Sequence, residues 1–167
     1  MRAATDGARY PDTEVADHLH TVSKLLHGGF GARVFQIEMG GYDTHAQQRG
    51  GHDALLRQLA SSLAAFFADL GERGREVCVM VFSEFGRRVQ ENASRGTDHG
   101  AAAPVLLVSG AIKGGVLGAH PRCDDLDDGD LKHAIDFRRI YATMAAGWLG
   151  LDARAILGQA FEPLPLV

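Results

Sequence analysis

A nearly continuous apolar run from Glu76 to Phe82 constrains the fold of this chain more than any other feature of its sequence. Strands that are apolar at successive positions are typical of parallel sheets in which helices cover both faces. Upstream, apolar and polar residues alternate from Arg33 to Met39, as in a strand, and apolar residues recur at helical spacing from His52 to Leu70. Strand, helix and strand in this order predict a βαβ unit.

Three further segments extend this organisation. Apolar residues at helical spacing predict a first helix over residues 15–26, and Pro104 to Gly110 is a candidate buried strand. Asp136 to Trp148 reads as a late helix that begins with a capping aspartate. We therefore predict an α/β fold with a mainly parallel sheet flanked by helices. Residues 1–12 would form an irregular N-terminal segment, and residues 13–167 a single domain.

The composition argues against several classes of function. The 167 residues, 46% of them hydrophobic, suffice for one core of ordinary domain size. The net charge of -4 comes from intermixed acids and bases, so the sequence lacks the basic stripe of nucleic-acid or anionic-membrane binders. No apolar run approaches the ~20 residues that span a bilayer. We expect a soluble protein that binds neither nucleic acid nor membranes.

Short polar clusters adjoin the predicted strands. Asp43 and His45 follow the first strand, Glu84 follows the second, and Asp98 and His99 lie just before the third. The carboxyl ends of parallel strands meet at one edge of a sheet, so we expect these side chains to converge. Carboxylate oxygens and neutral imidazole nitrogens are ligands of zinc, manganese and iron. The sequence thus predicts one divalent metal site with these five residues as candidate ligands.

Each cluster also has an interpretation without a metal. Asp43 can cap a polar turn, and Glu84 can form a structural ion pair with a following arginine. Asp98 can orient the His99 ring instead of binding an ion, because a ligating imidazole needs an acceptor for its second N–H. Arg87 is a candidate contact for an anionic substrate, since a guanidinium group matches the geometry of phosphate or sulfate.

Five motifs carry a family resemblance, and they are Gly40–Gln48, Phe82–Asn92, Gly96–Pro104, Gly114–Gly118 and Asp136–Thr143. Together they resemble the bacterial domain-of-unknown-function family 1501, which is grouped with the alkaline phosphatase and sulfatase superfamily. The resemblance runs from about residue 13 to the end of the chain, and it covers only the carboxyl-terminal part of the family's usual length.

The resemblance implies an alkaline phosphatase-like, doubly wound α/β fold, of which this chain would be the carboxyl-terminal half. By position, Asp43 and His45 resemble the superfamily's first ligand group, Glu84 the second and His99 the last. Phe85 stands where the superfamily has the histidine of an acid–histidine pair. The superfamily's first metal aspartate and its nucleophile belong to the portion that the resemblance does not cover.

These considerations predict a metal-dependent hydrolase of small anionic phosphate or sulfate esters, or a carboxyl-terminal fragment that lacks the nucleophile. Glu84 and Arg87 are its candidate catalytic residues. Zinc is the first choice of metal, with manganese, iron or calcium as alternatives. The rival hypothesis is a catalytically silent binding or assembly module, which forms a homo-oligomer or pairs with a chain that completes the fold. The resemblance also implies that full-length relatives are often exported to the periplasm.

Overall fold

A computed structural model describes residues 8–166 of the chain. Part of the irregular segment predicted for residues 1–12 therefore lies outside the described residues. No helix in the described range is both long and apolar enough to cross a membrane.

The contacts within the chain define two compact units. Among the described residues, the first comprises residues 8–74 together with Glu91–Asp98. The second comprises Arg75–Gln90 and residues 99–166. The prediction of a single domain stays a prediction.

Two long helices, α1 (Glu14–His27) and α2 (Gln48–Leu70), lie in the first unit. Thr13 caps α1, and its side-chain oxygen accepts a hydrogen bond from the Ala16 N–H at 3.4 Å. Leu70 is followed by a single 3₁₀ turn, Gly71–Arg75. Both helices were predicted from their apolar spacing, and both predictions are confirmed.

The core of the first unit lies between these helices. Phe66 is its largest buried side chain, with 1% of its surface exposed. Polar groups also join the helices, because Asp69 accepts hydrogen bonds from the Tyr10 hydroxyl at 3.0 Å and from the Ser23 hydroxyl at 2.6 Å. Burial and the neighbouring carboxylate raise the pKa of Tyr10 well above its usual range. The other buried apolar residues of this unit are Val15, Ala16, Leu19, Leu63, Ala65 and Leu70.

In the second unit, β1 (Val79–Val81) pairs with β4 (Leu106–Val108). The pair is antiparallel, with Val79 opposite Val108 and Val81 opposite Leu106. The prediction of strands at these two places is confirmed in shortened form. The predicted mainly parallel, alkaline phosphatase-like sheet is wrong, because the described residues form only short two-stranded antiparallel pairs.

The physical reason for this difference lies in the two segments that the sequence predicts as the strands of a βαβ unit. Arg33–Met39 is assigned to no strand within the described residues, although its residues alternate between exposed and half-buried. Val34 is 71% exposed, so the alternation reflects a segment with one face toward solvent. The apolar run at β1 is half-buried rather than covered on both faces, so its composition did not require a parallel sheet.

Two further strand pairs are hairpins. The first joins β2 (Gly86–Glu91) to β3 (Thr97–Gly100). The second joins β5 (Leu126–Asp127) to β6 (Asp130–Leu131), in a segment rich in aspartate from Asp124 to Asp130. Asp128 and Gly129 form its two-residue turn, with φ angles of 48° and 85°. An Asp-Gly pair with both φ angles positive is typical of a tight hairpin turn.

The carboxyl-terminal region contains α3 (Phe137–Ala142), a π-helical turn (Thr143–Trp148) and α4 (Ala153–Leu157). Asp136 caps α3 as predicted, accepting a hydrogen bond from the Arg138 N–H at 2.9 Å. The Arg138 side chain hydrogen-bonds the same carboxylate and lowers the pKa of Asp136 to about 2. The buried apolar residues of the second unit are Ala142, Ala145 and Leu164.

Candidate metal centre

Asp43 and His45 lie in the loop that leads into α2. The loop ends at Gln47, which has a left-handed backbone conformation with φ of 48° and ψ of 37°. The helix begins at the next residue. Tyr42 is directed to the helix instead, where its ring meets the His52 ring edge-on with centroids 5.7 Å apart. The loop therefore presents the aspartate and the histidine of the first predicted cluster at the amino-terminal end of α2.

The His45 ring lies between two carboxylates. Its Nε2 is 2.9 Å from Oδ1 of Asp43, and its Nδ1 is 3.5 Å from Oδ1 of Asp98. The side chains are well exposed, at 49% for His45, 66% for Asp43 and 64% for Asp98. Within the first unit, the structure thus brings Asp98 of the predicted third cluster next to the predicted first cluster.

The geometry around His45 fits a metal ligand. Two atoms that bind one tetrahedral zinc ion at 2.0–2.1 Å are about 3.3 Å apart, close to the 2.9 Å between Nε2 of His45 and Oδ1 of Asp43. The other ring nitrogen faces Asp98, and ligating histidines commonly donate this second N–H to a carboxylate. Asp98 was predicted as a ligand or as the partner of His99. In the structure its carboxylate lies beside the His45 ring, and its role stays a prediction.

Asn92 ties the His45 loop to the hairpin turn. Its side-chain amide donates hydrogen bonds to the backbone oxygen of His45 at 3.1 Å and to Oδ1 of Asp98 at 3.3 Å. Its side-chain oxygen accepts from the backbone N–H groups of Ser94 at 2.9 Å and Gly96 at 3.1 Å. One side chain therefore contacts the turn, the loop and the carboxylate at the same time.

The first residues of α2 are joined to the same turn. The backbone N–H groups of Gln47 and Gln48 donate to the carbonyl oxygens of Ser94 and Arg95 at 2.9 and 3.0 Å. These bonds satisfy donors at a helix start that have no partner inside the helix. The Thr97 hydroxyl adds a bond to Oε1 of Gln48 at 2.8 Å. The two backbone bonds from Gln47 and Gln48 to the turn thus hold the loop between them in place.

Gly96 passes so close to the loop that no side chain fits there. A Cβ atom at this position would lie 2.4 Å from the backbone carbon and oxygen of His45. We expect Gly96→Ala to lower the free energy of unfolding by about 1–3 kcal/mol, because either the turn or the loop must move. Urea unfolding followed by circular dichroism measures this difference.

The matched control is Gly50→Ala in α2, where an added Cβ meets no atom within 4 Å. Alanine is favoured over glycine inside a helix, so Gly50→Ala should be neutral or stabilising. Equal stability of the Gly96→Ala variant and the unmodified protein would show that the turn is not packed against the loop.

His99 is the next residue after Asp98 in β3, and its exposed ring can offer a nitrogen to a metal. Within the second unit the ring stacks on Phe85, with centroids 3.9 Å apart and planes 4° apart. The Arg87 guanidinium carbon lies 5.2 Å from the centroid of the same phenyl ring. Phe85, which replaces the histidine expected from the resemblance, therefore sets the plane of the His99 ring.

Glu84 lies in the exposed turn between β1 and β2. Its alternative role as the partner of a neighbouring arginine finds no support in residues 8–166, where Arg88 lies 3.3 Å from Asp130 instead. The roles predicted for Glu84 in metal binding and catalysis, and for Arg87 in substrate binding, stay predictions.

Sequence reasoning missed Asn92 as a part of the site. A local signal was present, because asparagine in a turn commonly accepts a hydrogen bond from the backbone two residues on, as Asn92 does from Ser94. That signal indicates a turn, but it does not reveal which groups the side-chain NH₂ of Asn92 contacts.

Comparison with known proteins gives a family match. A family model described as a protein of unknown function, DUF1501, matches residues 22–162. No curated protein and no solved structure matches the chain.

Proposed function

The chain belongs to the DUF1501 family of proteins of unknown function, and from this premise we propose that it is a metal-dependent hydrolase of small phosphate or sulfate esters. Zinc is the first choice of metal, with manganese, iron or calcium as alternatives. Asp43 and His45 would be ligands, with His99 as the third ligand suggested by the sequence. The observation that supports this proposal is the His45 ring placed between two carboxylates.

A neutral imidazole carries one N–H, so it can donate to only one of its two carboxylate neighbours. Nε2 lies at hydrogen-bond distance, 2.9 Å, from Oδ1 of Asp43, so without an ion this bond uses the single N–H of a neutral ring. A cation bound by both atoms would take the place of this proton, and Nδ1 could then carry the N–H and face Asp98. The donor set therefore suits a divalent ion of intermediate hardness.

A bound divalent ion would polarise an ester oxygen and favour ionisation of a bound water. The side chains of this protein would supply the positioning. Asp98 would hold the His45 ring, and Phe85 would hold the His99 ring in its plane. Arg87 would bind a charged oxygen of the ester, as guanidinium groups do with phosphate and sulfate. This proposal rests on the ligand chemistry alone, because the antiparallel strand pairs do not support the superfamily's sheet.

A catalytically silent binding or assembly module is the second candidate. A protonated His45 ring would satisfy both carboxylates without an ion, and exposed ion pairs of this kind need have no catalytic role. Val116, in the segment Gly114–Gly118, is 93% exposed, and Val34 is 71% exposed. Apolar side chains exposed to this degree are compatible with contact to a partner chain or to a second copy of this chain.

Metal content tests the proposal directly. We expect inductively coupled plasma mass spectrometry to find about one zinc ion per chain in protein purified without chelator or immobilised nickel, as for a single mononuclear site. The same sample should hydrolyse p-nitrophenyl phosphate or p-nitrophenyl sulfate, and the activity should disappear with a chelator and return with zinc. A metal-free oligomer without hydrolysis would support the assembly module instead.

A further inference from the structure

We propose that Asn92 is a positioning residue of the metal centre, and that its side-chain amide fixes both the His45 backbone and the carboxylate that orients the His45 ring. This inference rests on the proposed function, because it assigns Asn92 to that same site. It starts from a hydrogen-bond set that joins one side chain to His45, Asp98, Ser94 and Gly96.

The orientation of the amide is determined by the turn. The oxygen of Asn92 accepts two backbone N–H groups, from Ser94 and Gly96, and a nitrogen in its place would face two donors. The NH₂ group must therefore point to the other side. There it meets two acceptors, the backbone oxygen of His45 and Oδ1 of Asp98.

Oδ1 of Asp98 is shared between Asn92 and His45. It lies 3.3 Å from Nδ2 of Asn92 and 3.5 Å from Nδ1 of His45. The amide restrains the exposed Asp98 side chain in the rotamer that faces the ring. With Asp98 held there, Nδ1 of His45 could donate its N–H to this carboxylate when Nε2 binds a metal.

The same amide also restrains the backbone of the ligand. Its bond to the His45 oxygen links residues 47 positions apart, next to the close approach of Gly96. The backbone bonds from Gln47 and Gln48 already attach α2 to the turn. The attachment of α2 does not need the bond from Asn92 to Asp98. We assign this bond to the metal centre because it holds the carboxylate that lies beside the His45 ring.

Asn92→Asp is the sharpest substitution, because it keeps the acceptor for the turn and replaces the donor by a second carboxylate oxygen. We expect the zinc affinity, measured by competition with a chromophoric chelator, to fall about 10–100-fold, as is common when a group that orients a ligand is lost. Gln48→Ala is the control, because it removes a hydrogen bond between α2 and the hairpin without touching a candidate ligand. Its zinc affinity should stay within about twofold of the unmodified protein, since its contact is structural.

Unchanged affinity of Asn92→Asp, or an equal loss in Gln48→Ala, would overturn the inference. If the unmodified protein binds no metal, the proposed function fails. The effect of Asn92 on the His45 ring is then tested in the metal-free protein. Long-range ¹H–¹⁵N spectra should show the His45 ring nitrogens shifted by Asn92→Asp and unaffected by Gln48→Ala. Identical ring signals in both variants would contradict a positioning role.

If circular dichroism shows that Asn92→Asp does not fold, Asn92→Ser takes its place with the same expectations. The serine hydroxyl can still accept from the turn, but it is too short to reach Asp98.

Discussion

Replacing Asp43 and His99 together by alanine should reduce the metal content of the purified protein from near-stoichiometric to background. The double substitution removes two of the three proposed protein ligands, and a site left with His45 alone cannot compete with water for a divalent ion. Inductively coupled plasma mass spectrometry of the variant and the unmodified protein, purified side by side, measures the difference.

The matched control replaces an aspartate and a histidine outside the cluster. Asp53 in α2 and His18 in α1 are both exposed, so Asp53→Ala with His18→Ala changes composition and charge in the same way. This control should keep its metal. Undiminished metal in the Asp43 and His99 variant would mean that the ion is bound elsewhere, and loss from both variants would point to non-specific binding.

Phe66→Ala should cost about 3–5 kcal/mol of the free energy of unfolding, the largest stability effect expected of a single substitution in this protein. Phe66 is 1% exposed in the core between α1 and α2, and its ring meets the Phe67 ring edge-on at 5.5 Å. Removing the ring loses its burial and leaves a cavity that the surrounding helices fill only in part. Urea unfolding gives the free energy.

Leu56→Ala serves as the control in the same helix, because Leu56 is 45% exposed. It removes apolar surface that is already largely in water, so we expect a loss below about 1 kcal/mol. Similar losses for both variants would contradict the assignment of Phe66 to a tightly packed core.

The helices could be predicted from the sequence because their signal is local. The apolar residues of α2 recur every three or four positions, and the side chains at Leu63, Phe66 and Leu70 are buried as this spacing requires. Caps are also local, and Asp136 was identified from its place before an apolar segment. Each of these features depends on residues a few positions apart.

The sheet could not be predicted in this way. A three-residue strand such as β1 has the same apolar composition whether its partner runs parallel or antiparallel, and pairing depends on a segment far along the chain. The segment Arg33–Met39 shows that alternation alone does not make a strand. The parallel sheet was predicted from the apolar run at β1 and from the alternation in Arg33–Met39. Neither pattern determines which segment a strand pairs with, or in which direction.

The candidate site was therefore predicted in part for the wrong reason. The convergence of Asp43 and His45 with Asp98 was expected at one edge of a parallel sheet. They meet because a hairpin turn is joined to the start of α2. The chemical types of the side chains were readable from the sequence. The contribution of Asn92 was not, because its bond to the His45 backbone has no periodicity to detect.

The 47-residue separation between Asn92 and His45 has a consequence for the order of folding. Bringing two such distant points together requires closure of a long loop, whose entropic cost must be met before any contact forms. The helix α2 can form early from neighbouring residues, whereas the turn of the hairpin can reach it only once the chain extends past residue 97. We therefore expect the polar cluster around His45 to assemble after α2, and shorter nascent chains to lack half of it.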